Sequence, residues 1–149
     1  MIEIREMQSS DVEAALRIRL EWLSAQFDVT ETTVLVESWF ARYPGNEAAP
    51  ALVAEDGDRI VGYLLCALTT NPTQVGRAAE IDEICVTKSY RRRGIGTRLM
   101  DTLRQRLQNT VDDLTVIQAR TDRANKPAQA FLRALGFEHC TLEFTDYLE

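Results

Sequence analysis

The stretch from Ala79 to Met100 constrains this chain most. A segment of strand character, Ala79 to Thr87, passes through the basic turn Lys88-Ser89-Tyr90-Arg91-Arg92-Arg93-Gly94 and enters an amphipathic helix at once. Ile95, Leu99, Leu103 and Leu107 recur every four residues with Met100 beside them, so one face of that helix seeks a core. A turn of this kind presents backbone N–H groups that no helix carbonyl satisfies, and the helix dipole adds partial positive charge, so an anion is favoured there. Gly94 and Gly96 let a phosphate approach the backbone, and the guanidinium groups of Arg91, Arg92 and Arg93 can fork onto its oxygens. Two other phosphate motifs fail: no GxxxxGK[ST] is present, and Leu99 stands where GxGxxG needs its third glycine.

The remaining chain places this unit in an α/β order. Ile2 and Ile4 alternate with Glu3 and Arg5 as a short strand, and Ser9-Ser10-Asp11 offers caps for a helix with Val12, Ala15, Leu16, Leu20, Leu23 and Phe27 on one face, running to about Ala25. A second helix is expected over Glu31 to Arg42. Ala51 to Ala54 and Arg59 to Leu68 read as strands around a tight turn at Asp56-Gly57-Asp58. Leu114 to Ala119 is a further strand; Asn125-Lys126-Pro127 opens a helix that Gly136 closes; and Phe137 to Leu148 is extended, as one or two short strands. The order β-α-α-β-β-β-α-β-α-β(-β) predicts a mixed sheet of six to seven strands flanked by about four helices, in one domain over 1–149.

Charge and cysteines narrow the function classes. The net charge of −6 disfavours general nucleic-acid binding, and the one basic cluster forms no continuous track. Residues 1 to 77 carry 6 basic and 12 acidic side chains, whereas residues 78 to 149 carry 11 of each. The longest apolar stretches, Ile60 to Leu68 and Val34 to Phe40, are interrupted and fall short of the roughly 18 residues of a membrane helix. The start of the chain does not resemble a secretory signal. Three cysteines, Cys66, Cys85 and Cys140, without CxxC spacing argue against a disulfide framework or a zinc site and suit buried thiols in a cytoplasmic protein.

Val86 followed by Arg91-x-x-Gly94-x-Gly96 is similar to the acetyl-CoA signature, [Q/R]xxGx[G/A], of the GNAT superfamily of N-acetyltransferases. Asn125-x-x-x-x-Ala130-Phe131-x-x-x-Leu135-Gly136-Phe137 resembles the family's second block, an asparagine that opens a helix closing on Gly-Phe. The resemblance spans residues 79 to 137. It implies a GNAT-like α/β fold and acetyl-CoA as cosubstrate. It also implies backbone hydrogen bonds from Ile84, Cys85 and Val86 to the pantetheine arm, a pyrophosphate enclosed by Arg91, Arg92, Arg93, Gly94, Ile95, Gly96 and Thr97, and Asn125 near the cofactor. One position departs: where many members carry a tyrosine acting as general acid, four residues before the glycine of Gly-Phe, this chain has Leu132. Tyr63 and Tyr147 are other hydroxyls, which the sequence does not place.

Acetyl transfer to an amine needs the amine neutral, so a group must accept its proton. Glu83, Asp82 and Glu80, on the strand before the turn, are the candidates; with regular alternation Glu80 and Asp82 share a face and Glu83 points the other way. His139 reads as a surface residue, and Trp22, Trp39, Phe40 and Tyr43 as core or as walls of an acceptor pocket. The leading expectation is transfer of acetyl from acetyl-CoA to a primary amine, small or peptidyl. The acidity of the N-terminal half favours a cationic acceptor if it does more than keep the chain soluble, with Asp28, Glu31 and Glu37 near the amine. The alternative is a non-catalytic acyl-CoA-binding or sensor domain of the same fold. The sequence assigns no metal and leaves the oligomeric state open, a homodimer included.

Overall fold

The computed structural model describes residues 1–24, 38–71, 75–139 and 144–148. Its strands are β1 (Ile2–Glu6), β2 (Ala51–Asp56), β3 (Arg59–Thr70), β4 (Arg77–Val86) and β5 (Leu114–Ala119), and its helices α1 (Val12–Ser24), α2 (Ile95–Thr110) and α3 (Lys126–Ala134). The strands form one sheet in the order β1-β2-β3-β4-β5, antiparallel throughout except for the β4–β5 pair, which is parallel. That pair requires the long crossover that α2 provides. Asp56 and Arg59 pair across the Gly57-Asp58 turn, where Gly57 is left-handed. Five strands are thus described, against six to seven expected. Residues 137–139 and 144–148 form no strand, and 140–143 lie outside the described residues, as does Cys140. Of the helix expected over Glu31 to Arg42, residues 38–40 are described and helical, and the chain turns from Ala41.

The sheet separates two cores. On one face α2 lays down Ile95, Leu99, Met100, Leu103 and Leu107, each at most 2% exposed, against Leu52, Ala54, Val61, Leu64, Ala79 and Ile81, with Phe131 and Leu135 packed alongside. Each such side chain contributes about 1.5–3 kcal/mol on burial, so this helix face is a major source of the fold's stability. On the other face Ala15, Leu16 and Ile18 of α1 meet Phe40, Tyr43, Val53, Tyr63, Leu65 and Cys85. The apolar stripe of α1 therefore includes Ile18 as well as the expected Ala15 and Leu16. Phe27 lies outside the described residues. Trp39, Phe40 and Tyr43 meet edge to face at 5.3–5.5 Å, and Phe40 continues the stack onto Tyr63. The expected aromatic core is thus present, with Trp39 and Trp22 at its half-buried rim.

Candidate functional site

The chain leaves β4 through Thr87, makes one 3-10 turn over Lys88–Tyr90, and reaches Gly94, which caps α2 in the left-handed conformation at φ 76° and ψ 12°. No atom stands within 4 Å of where a Gly94 Cβ would be, so its backbone lies open. The first helical hydrogen bond of α2 runs from the Arg98 N–H to the Gly94 carbonyl at 3.0 Å, which leaves the N–H groups of Ile95, Gly96 and Thr97 without a helix acceptor. Turn and helix end thus present a row of N–H groups without helix acceptors beside an open backbone, an arrangement that favours an anion in general. The three arginines do not act alike. Arg91 donates through Nε to the Val86 carbonyl at 2.9 Å, and Arg93 lies 4.7 Å over the Tyr90 ring, whose hydroxyl donates to Asp56 at 2.7 Å. Arg92 is the one non-glycine residue with positive φ, 63°, among the described residues.

Gly96 has a packing reason besides the one its motif suggests. A Cβ there would meet the Phe131 ring at 3.2 Å, so the missing side chain makes room for α3 against the first turn of α2. Asn125, expected near the cofactor, uses its side chain to accept the Ala128 N–H at 3.2 Å and so caps α3.

Upstream of the turn the sheet parts. The β4–β5 ladder runs from Arg77 to Ile81 and ends there, while β4 stays paired to β3 as far as Val86. The Thr87 N–H donates to the Val61 carbonyl at 2.8 Å, so by the two-residue period the Cys85 backbone also faces β3, and the backbone groups of Ile84 and Val86 point into the gap. Of the three residues expected to present backbone there, Ile84 and Val86 have that orientation and Cys85 does not.

The carboxylates sit where the ladder ends. The β3–β4 register slips between Leu65 and Cys66, which pair with Glu83 and Ile81, so Asp82 is the extra residue of a bulge. The bulge cancels the alternation on which the separation of Glu83 from Asp82 and Glu80 depended, and turns Asp82 and Glu83 toward the α1 side of the sheet. Asp82 accepts a 2.7 Å bond from the Tyr43 hydroxyl, and Glu83, 14% exposed, pairs with Arg19 of α1. Burial pushes the Glu83 carboxyl above its ordinary value, and Arg19 pulls it back. Glu80 lies on the part of β4 still paired to β5, bound to Arg120 at 2.7 Å. Beside Glu83 are the buried Tyr63 hydroxyl, which burial holds far above the ordinary tyrosine value, and the Cys85 thiol, pushed up to about 11 by burial. Cys85 and Cys66, the latter pushed up to about 12, are free and buried as expected of inert thiols.

Arg19 and Tyr43 flank these carboxylates and Glu21 stands at the entry to the turn; sequence reasoning singles out Tyr43 alone of the three. Arg19 lies 4.7 Å over the Trp39 ring, and Glu21 accepts from the Lys88 N–H at 2.9 Å and from the Thr87 hydroxyl at 2.8 Å. The available signal is weak: Arg19 stands between Ile18 and Leu20 within the apolar half of an amphipathic helix.

The Acetyltransferase (GNAT) family model matches residues 16–137. This chain belongs to the GNAT family. Solved structures share its fold over nearly the whole length. A possible acetyltransferase from Clostridium difficile 630 superposes with a TM-score of 0.84 at 17% identity, covering 100% of this chain and 98% of that one. A transcriptional regulator from Bacillus halodurans C-125 gives 0.84 at 24% identity, covering 99% and 100%. An aminoglycoside acetyltransferase from an uncultured soil metagenomic sample, in complex with sisomicin, gives 0.77 at 17% identity, covering 99% and 97%. At these identities the likeness is one of fold. No curated protein matches the sequence. Within this GNAT chain Leu132, at the family's tyrosine position, is half-buried on α3, His139 is exposed, and Tyr147 is 86% exposed. Among the described residues no helix is long and apolar enough to cross a membrane.

Proposed function

We propose that this GNAT protein transfers the acetyl group of acetyl-CoA to a primary amine by direct attack of the amine on the thioester. One observation carries the reading. The stretch of β4 at Ile84 and Val86, beyond the end of the β5 ladder, joins an anion-binding turn at one end to the Asp82–Glu83 bulge at the other, so a phosphate-bearing thioester and a proton acceptor meet along a single strand. Acetyl-CoA supplies the activated acetyl group. The N–H groups of Ile95, Gly96 and Thr97, with Gly94 and Arg91 to Arg93, suit its pyrophosphate, and the backbone at Ile84 and Val86 suits its pantetheine arm, with Asn125 at the cap of α3. A backbone N–H of that edge also suits a carbonyl oxygen gaining charge.

We assign the proton acceptor to Glu83, with Asp82 beside it and Glu80 as the remaining candidate. Raised by burial, the Glu83 carboxyl is nearer neutral pH than an exposed glutamate, which favours it as a base. Departure of a thiolate with a pKa of about 8.5 needs no dedicated acid, which accommodates Leu132. We place the protein in the cytoplasm, where free buried thiols are stable. The acidic residues Asp28, Glu31 and Glu37, expected near a cationic acceptor, lie outside the described residues, so a cationic amine rests on the charge of residues 1 to 77.

The test is thiol release from acetyl-CoA against a panel of amines, cationic and neutral, with a control lacking acceptor. Glu83→Gln should lower kcat about 10²–10⁴-fold and flatten the acid limb of the pH profile while leaving acetyl-CoA affinity unchanged; Glu80→Gln should stay near wild type. Tight acetyl-CoA binding with no amine-dependent release would instead establish the non-catalytic acyl-CoA-binding alternative.

A further inference from the structure

Glu21 of α1 ties that helix to the start of the phosphate turn. Glu21 holds the Lys88 N–H with one carboxylate oxygen and the Thr87 hydroxyl with the other, at 2.9 and 2.8 Å. Thr87 is 5% exposed and its own N–H is fixed on β3, so the last residue before the turn is held from two directions. The two bonds, helped by Arg91 and Arg59 nearby, keep the Glu21 carboxyl below its ordinary value. A negative charge beside a turn meant for an anion is electrostatically unfavourable, so its presence there calls for a compensating role.

From this geometry we infer that Glu21 is a positioning residue for the phosphate turn: a strap from the end of α1 that fixes where Lys88 to Gly94 leave the sheet and hence where the arginines and the α2 N-terminus stand. The inference rests on the anion-binding reading of that turn. Glu21 touches no reacting atom; it acts through Thr87 and Lys88. Hydrogen bonds to a carboxylate are among the stronger ones, and losing two frees the turn at its first residues. A charge-neutral replacement that still accepts from Lys88 keeps the strap and removes the repulsion. The two substitutions therefore separate geometry from charge.

Calorimetric titration with CoA, repeated with acetyl-pantetheine lacking the phosphates in a turnover assay, tests the role. Glu21→Ala should weaken CoA about tenfold and leave the acetyl-pantetheine KM unchanged; Glu21→Gln should bind CoA at least as tightly as wild type; the loss of CoA affinity in Thr87→Val should be smaller than that in Glu21→Ala. Glu21→Ala binding CoA within about twofold of wild type, Glu21→Gln losing as much as Glu21→Ala, or equal losses for both ligands would each overturn the inference. Failure of the wild-type protein to bind CoA would be a different result, removing the anion-binding reading and this strap with it.

Discussion

Arg92 carries a backbone conformation that is costly for arginine. At φ 63° its Cβ crowds the following carbonyl, at a cost of about 1–2 kcal/mol that glycine would not incur. Such strain survives where the surrounding structure or the function requires it. Arg92→Gly should therefore raise stability by about 1 kcal/mol, read as a higher urea midpoint, and lower CoA affinity in the same preparation. A gain in stability without loss of affinity would separate this arginine from the phosphates. At this scale the sequence is partly legible. Gly94 declares a turn because its left-handed backbone is a local property. Gly96, Asn125, Arg19 and Glu21 are not legible in their observed contacts, since each is explained by a neighbour that the motif does not name: a ring of α3, an amide of the same helix's first turn, a carboxylate of β4 and the start of the turn before α2.

Elements are legible where their pattern is local and obscure where two of them interact. Helix α2 and the β2–β3 turn follow from four-residue spacing and from Asp-Gly-Asp, and both form as expected. The bulge at Asp82 has no local mark, because it exists only in the pairing of β4 with β3; simple alternation therefore puts Glu83 on the wrong side. Docking of α3 on α2 is likewise a two-element property and gives a test. Gly96→Val would drive side-chain atoms into the Phe131 ring, lowering stability by about 1–3 kcal/mol, and the Gly96→Val, Phe131→Ala double variant should lose less than the sum of the single changes. Additive losses in thermal unfolding would mean that the ring does not sense residue 96.

For the whole molecule, part of the acid stability comes from a pair far from the site. Asp11, 7% exposed, takes a two-armed bond from Arg5 at 2.7 and 2.9 Å, which holds its carboxyl below the ordinary 3.8. A lowered value means that the folded state binds fewer protons, so this stabilisation is complete above about pH 4 and is lost as pH falls through the folded value. Asp11→Asn should cost about 2 kcal/mol at pH 7 and give a shallower fall in denaturant midpoint between about pH 4 and pH 2. Buried Glu83 acts with the opposite sign, favouring the fold less as pH rises above its unfolded value of 4.5. The overall α/β order is legible because the two cores draw on separate apolar stripes of the sequence. The parting of β4 from β5 has one more consequence. At Ile84 and Val86 the side chains pack toward the α2 core while the main chain faces the gap, so one residue does two tasks with separate atoms. Replacing one apolar side chain by another there alters packing and leaves the amide and carbonyl in place. The sequence of this strand can therefore change while the same row of peptide groups continues to face the gap.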